Sequence, residues 1–168
     1  MRKLSALVQH ILEVTGLPPE QLTAFADNGA LHPIGRDRGP LRPEPGTEGP
    51  VLQQVELGLF KYDGVIQIER YPGDGLAFAA LVASWLMAND LDRDGLADPT
   101  MNIDLNFKDG DADLDISVEF EERLAAIEDP QGDIPFNGKR WRVEAPVITP
   151  VEKLAGMKGA ASAGGSRG

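Results

Sequence analysis

Leu4, Leu7, Val8, Ile11 and Leu12 recur at i, i+3, i+4, i+7 and i+8, while Ser5, Gln9 and Glu13 face away, so an amphipathic helix is predicted over Leu4 to Val14. Gly16 supplies a residue suited to the left-handed conformation that ends a helix, and Pro18-Pro19 cannot continue one. Proline followed by Glu20 and Gln21 then opens a short second helix, with Leu22, Phe25 and Ala26 as its apolar side and Asp27-Asn28-Gly29 as its stop. From Gly29 to Pro50 ten of 22 residues are Gly or Pro and apolar periodicity disappears, which reads as a long surface loop.

Val55, Leu57 and Leu59 alternate with Gln54, Glu56 and Gly58; Tyr62-Asp63-Gly64 offers turn chemistry, and Val65 to Ile68 resumes a β-rich run. Residues Gln53 to Arg70 therefore form either a hairpin or a single bent strand. Pro72-Gly73-Asp74 leads into the next helix, with Asp74 placed to cap its first turn. That helix, Gly75 to Asn89, contains no charge. Phe78, Leu81, Val82, Trp85 and Leu86 are joined by Leu76, Ala79, Ala80 and Ala83 on its other flanks. A helix apolar nearly all round is either covered on both sides within its domain, or covered by the fold on one face and by a neighbouring subunit on the other.

The clearest β pattern follows. Met101, Ile103, Leu105 and Phe107 alternate with Asn102, Asp104 and Asn106, and after Lys108 to Asp113 the residues Leu114, Ile116, Val118 and Phe120 alternate with Asp115, Ser117, Glu119 and Glu121. An antiparallel hairpin with one buried and one acidic, solvated face is predicted. Lys139 to Val143 adds a strand in which Trp141 and Val143 alternate with Arg140 and Arg142, and the Gly/Ala/Ser-rich end of the chain is expected to be flexible. The predicted fold is α+β, a mostly antiparallel sheet packed against an N-terminal helix and a central apolar helix. It makes a single domain over residues 1–150, with a loop at 29–50 and a tail at 151–168.

Composition narrows the function. The 168 residues suit one domain, and 27 Asp and Glu against 16 Lys and Arg leave a formal charge of −11, which disfavours general binding to nucleic acid. With no cysteine, a disulfide scaffold, a thiolate zinc site and a cysteine nucleophile are excluded. The longest uncharged apolar stretch, Leu76 to Ala88, has 13 residues, short of the roughly 20 a membrane-spanning helix needs. The basic start Met1-Arg2-Lys3 precedes an amphipathic helix without a small-residue cleavage site, so a soluble, cytoplasmic product is the expectation.

Asp90, Asp92, Asp94 and Gly95 match the opening of a calcium loop, with Asp98 at its ninth position, but Met101 stands where a bidentate Glu is needed. An acidic turn is the plainer reading, and Asp109, Asp111 and Asp113 read as a solvated hairpin tip. His10 and His32 lie far apart without a neighbouring Ser or carboxylate motif, and Gly73-Asp74-Gly75 carries an acid that would repel phosphate. Lys139, Arg140 and Arg142 around Trp141 suit ordinary ion pairs to acidic neighbours. No residue is singled out as catalytic, cofactor-binding or metal-ligating, and the chain is not expected to be an enzyme.

Set in order, Phe25-Ala26-Asp27-Asn28-Gly29 after an amphipathic helix, Gly73-Asp74 before an apolar helix with Trp85-Leu86 and Asn89, and Asp115-Ile116-Ser117 on a strand ending near Glu122-Arg123 resemble the GpR-type tail completion proteins of contractile-tailed bacteriophages. The resemblance runs over residues 3 to 145. It implies a structural virion protein, a late product assembled in the host cytoplasm, that finishes the head-proximal end of the tail. By analogy with tail terminators it would sit as a homo-hexameric ring on tube and sheath and offer a docking surface to the neck. DNA would pass through the ring without sequence-specific contact, and no membrane, cofactor or catalytic residue is implied. The insertion Ala30 to Pro50 and the Gly/Ala/Ser tail depart from the family pattern, and a phage-tail-like bacteriocin would use the same kind of part. A neck or baseplate adaptor is the main alternative, and a calcium-dependent module using Asp90, Asp92 and Asp94 is another.

The acidity is localised. Residues 90–133 hold 15 acids and three bases, residues 1–89 a net of −3 and residues 134–168 a net of +4. Such asymmetry suits a DNA-repelling face and head-to-tail contact between ring neighbours.

Overall fold

In a computed structural model of the chain, which describes residues 1–42, 46 and 49–144, the amphipathic stripe of the first helix becomes part of the core. Helix α1 (Arg2–Thr15) buries Leu4, Leu7 and Ile11, and Gly16 ends it with φ 68°, donating its N–H to the Leu12 carbonyl. Helix α2 (Gly75–Asn89) begins at Asp74, whose carboxylate accepts the Leu76 N–H at 2.9 Å, as the capping pattern predicts. Strands β1 (Leu22–Leu41), β2 (Leu52–Tyr71), β3 (Thr100–Asn106), β4 (Asp111–Glu128), β5 (Ile134–Phe136) and β6 (Lys139–Val143) make one sheet in the order β1-β2-β4-β6-β5, with β3 also on β4. Every described pairing is antiparallel, and the sheet curls into an open half-barrel. Tyr62, Ile66 and Ile68 of β2 and Leu114, Ile116, Val118 and Phe120 of β4 meet the buried residues of both helices in a single core. A smaller cluster of Val55, Ala126 and Trp141 closes the far end.

The β3–β4 hairpin and the strand at Lys139–Val143 stand where the alternation puts them, although β4 continues past Phe120 to Glu128. The expected buried face is corrected at Leu105, Phe107 and Val143, which are exposed because the hairpin tip and the end of β6 run beyond the core. Two other expectations are corrected. The second helix is only a 3-10 turn at Pro19–Gln21, and Leu22, Thr23, Ala24, Phe25 and Ala26 are strand residues paired with β2. Helical spacing of three apolar residues is a weak preference, and pairing along β2 outweighs it. The loop expected over residues 29–50 is strand as far as Leu41.

Its glycines mark bulges rather than a loop. The register with β2 shifts between Asp27 and Ala30, between Pro33 and Arg36, and between Asp37 and Gly39, where Asn28, Gly35 and Gly39 take φ of 50°, 69° and 79°. Pro33 and Pro40 are tolerated because β1 is the sheet edge, where a missing N–H need not cost a ladder bond. The tail expected at 151–168 lies outside the described residues.

Between the two readings of Gln53 to Arg70, the single strand is the one observed. Gly64 sits mid-strand opposite Val118, and a Cβ there would lie 2.8 Å from the Phe120 ring and 3.1 Å from Leu4. It is a close-packing position beneath α1, not a turn. Gly64→Ala is therefore expected to destabilise the fold by about 1–3 kcal/mol through overpacking. Urea unfolding measures it, and an unchanged midpoint would contradict this packing.

Candidate functional site

The Asp90 carboxylate, first of the calcium-like series, has no exposed surface. Asp90 closes the C-terminal end of α2, where the helix dipole disfavours a negative charge, so burial there requires cations. Lys3 Nζ of α1 reaches one oxygen at 2.5 Å and Arg93 Nη1 the other at 3.0 Å. Arg93 also donates to the carbonyls of Glu119 on β4 and Ala97, while the Ala97 N–H donates to the Glu119 carboxylate at 2.6 Å. The acidic turn is thus stapled to β4, and both Asp90 oxygens are engaged. Asp92 and Asp94 are exposed, and the described residues contain no cluster of three or more His, Asp or Glu side chains suited to a metal. Asp90 thus points inward to Lys3 and Arg93, away from the exposed Asp92 and Asp94 with which the calcium-loop reading groups it.

A second carboxylate holds the same N-terminal end of α1. That helix starts without a side-chain cap of its own. Glu122, on the inward side of β4, accepts the Lys3 N–H at 3.0 Å and the Tyr62 hydroxyl at 2.5 Å. Burial pushes the Glu122 carboxyl up, but the hydrogen bonds from Tyr62 and from the backbone of Arg2 and Lys3 outweigh it and hold the group below the ordinary carboxylate range. Burial and the neighbouring carboxylate raise Tyr62, which stays a neutral donor. Lys3 is consequently fixed twice, by its backbone to β4 and by its side chain to the end of α2.

The outward face of the sheet is acidic, as the alternation predicts. Asp104, Asp113, Asp115, Glu119 and Glu121 lie on it, with Asp63 beside Glu119 across the β2–β4 ladder. Lys61 pairs with Glu119 at 2.9 Å, and this contact together with the Ala97 N–H holds the Glu119 carboxyl below its usual range. Single-sign fields of this kind repel a phosphate backbone. His10 on α1 and His32 on β1 stay on separate elements, and Arg142 and Lys139 make the expected ion pairs, to Asp129 and Glu128.

Helix α2 shows its two faces separately. Phe78, Val82, Trp85 and Leu86 enter the core, whereas Leu76, Met87 and, just beyond the helix, Leu91 are 76%, 78% and 80% exposed. Ala80 and Ala83 continue the exposed stripe between them. Coverage on both sides within the domain is therefore ruled out for the described residues, and a charge-free apolar stripe is left open to a partner. No helix among the described residues is long and apolar enough to cross a membrane.

Residues 1–146 match the family model described as P2 phage tail completion protein R (GpR). A protein of Haemophilus phage HP1 (strain HP1c1), described as an uncharacterized 19.2 kDa protein in the rep-hol intergenic region, is 29% identical over 104 residues. The match covers 60% of this chain and 63% of the relative, so the chain spans under two thirds of that relative's length. No solved structure matches the chain.

Because its folded-state value is depressed, the Glu122 carboxylate contributes stability that is fully present above 4.5, its ordinary value, and lost as pH falls through the folded value. Glu122→Gln is expected to cost about 2 kcal/mol at neutral pH, and the difference from wild type should shrink as pH drops below 4.5. Urea unfolding across a pH series checks this, and a pH-independent difference would contradict the carboxylate's role.

Proposed function

Since the chain belongs to the P2 phage tail completion protein R (GpR) family, we propose that it is a structural, non-enzymatic component that completes the head-proximal end of a contractile tail. In this reading copies form a homo-hexameric ring on the tube and sheath, and the ring presents a docking surface to the neck. The family match over residues 1–146 carries the reading, because it spans both helices and all six strands rather than a shared motif.

Two surfaces support it physically. A subunit that joins others needs an apolar face left uncovered by its own fold, and the Leu76, Met87 and Leu91 stripe of α2 is such a face. Turned toward a channel, the acidic outer sheet would let DNA pass without adhering.

Genetic complementation tests the proposal. A phage deprived of this protein is expected to yield heads and unfinished tails that do not join, and wild-type protein supplied from a plasmid should restore infectious particles. Met87→Glu changes an exposed side chain, so it should leave thermal stability within about 0.5 kcal/mol of wild type while failing to restore infectivity. Normal tailed particles formed in the protein's absence would overturn the assignment.

A further inference from the structure

The β3–β4 hairpin ends in Phe107, which is 91% exposed, with Leu105 beside it at 60%. An isolated exposed apolar residue is ordinary on a protein surface. Here three features coincide. Residues 104–115 carry five aspartates and one lysine, so the aromatic tip stands in a ring of negative charge. At the other end of the sheet, between β1, β2 and the β5–β6 hairpin, lies an open cavity of about 240 Å³ whose apolar lining is Val55, Phe136 and Trp141. A cavity of about 150 Å³ already accommodates a benzene ring. Phe136 and Trp141 stand edge to face there with centroids 6.4 Å apart, so the wall that a further ring would meet is aromatic.

Charge matches the shape. The segments bordering the cavity are enriched in bases, three against one acid in residues 35–42 and three against one in residues 134–144. Lys139 and Asp37 line the cavity itself, so the excess of bases lies on its rim rather than within it. Arg38, Lys139 and Arg142 are paired with acids of the same chain, but the Arg140 guanidinium donates to the Gly132 carbonyl, which leaves its charge uncompensated by that contact.

Tip and cavity cannot meet within one molecule. The hairpin tip adjoins Asp111 at the start of β4, whereas β6 pairs with Ala126 to Glu128 at its end; an 18-residue strand spans about 55 Å. We propose that Phe107 of one copy inserts into the Val55–Phe136–Trp141 cavity of the next. Such a contact uses a different surface on each side, so every added copy leaves one free tip and one free cavity, the kind of contact that closes into a ring when the rotation between copies divides a full turn. This deepens the ring reading above and rests on it, naming the joint between neighbours.

Sedimentation of purified protein tests the joint. Wild type is expected to self-associate at high micromolar concentration, and Phe107→Ala, whose side chain supports nothing in its own fold, at least tenfold more weakly. Gln53→Trp, which fills the cavity, should behave like Phe107→Ala, and a mixture of the two variants should stop at a one-to-one pair, because only one competent tip and one competent cavity remain. As the chain has no cysteine, the double variant Lys108→Cys, Lys139→Cys should give a ladder of disulfide-linked copies on oxidation. A wild type that stays monomeric, or a Phe107→Ala protein that assembles like wild type, overturns the inference. If wild type still restores infectivity in either case, tail completion stands and only this joint falls. A Phe107→Ala protein that assembles normally yet fails in complementation assigns the tip to another tail component, and also overturns it.

Discussion

Lys3 ties the two helices to the sheet, and the placement of nearly every other surface follows from that. Its backbone N–H is accepted by Glu122 on β4 and its ammonium by the buried Asp90 at the end of α2. Both carboxylates sit where an unpaired charge would be costly, so the contacts admit little alternative geometry. With α1 and α2 locked onto the same side of the sheet, the core closes around Tyr62, Phe78 and Phe120. The opposite side of α2 and the outer face of the sheet are then left as surface by elimination. The apolar stripe and the acidic face are in this sense consequences of one buried ionic node.

The long edge strand β1 shows a different economy. Twenty residues of edge strand would invite unregulated pairing with other chains. Three bulges and two prolines interrupt its ladder with β2, twisting the edge and removing donors from it. The same devices remove apolar periodicity from the sequence. At the other end Asn137 and Gly138, with φ of 50° and 71°, make the tight turn that folds β5 back on β6 and forms one wall of the distal cavity.

Charge is distributed along the length of β4. Its first half pairs with β3 in the aspartate-rich hairpin, and its last residues pair with the basic β6. A single strand therefore runs from an end where aspartates stand largely unpaired to one where the bases of β6 are matched by Glu128 and Asp129.

Wherever periodicity was regular, sequence alone determined the structure. The α1 stripe, the capped and charge-free α2, the β3–β4 alternation and the Arg140-Trp141-Arg142 strand all form the elements that the residue pattern predicts, and in α1 and β4, where one side alone is apolar, it also says which face is buried. Sequence order also carried the family resemblance. β5, only three residues long, is too short for any alternation to mark it. Tertiary structure alone decided that Phe25 belongs to a strand, that the glycines of residues 29–41 are bulges, and that Gly64 is a close approach beneath Leu4 and Phe120. It also decided that Asp90 turns inward and that Glu122 caps a helix more than a hundred residues earlier in the chain. These depend on partners far away in sequence, and no local spacing encodes which distant cation will meet a carboxylate or which strand will pair with a bulged edge.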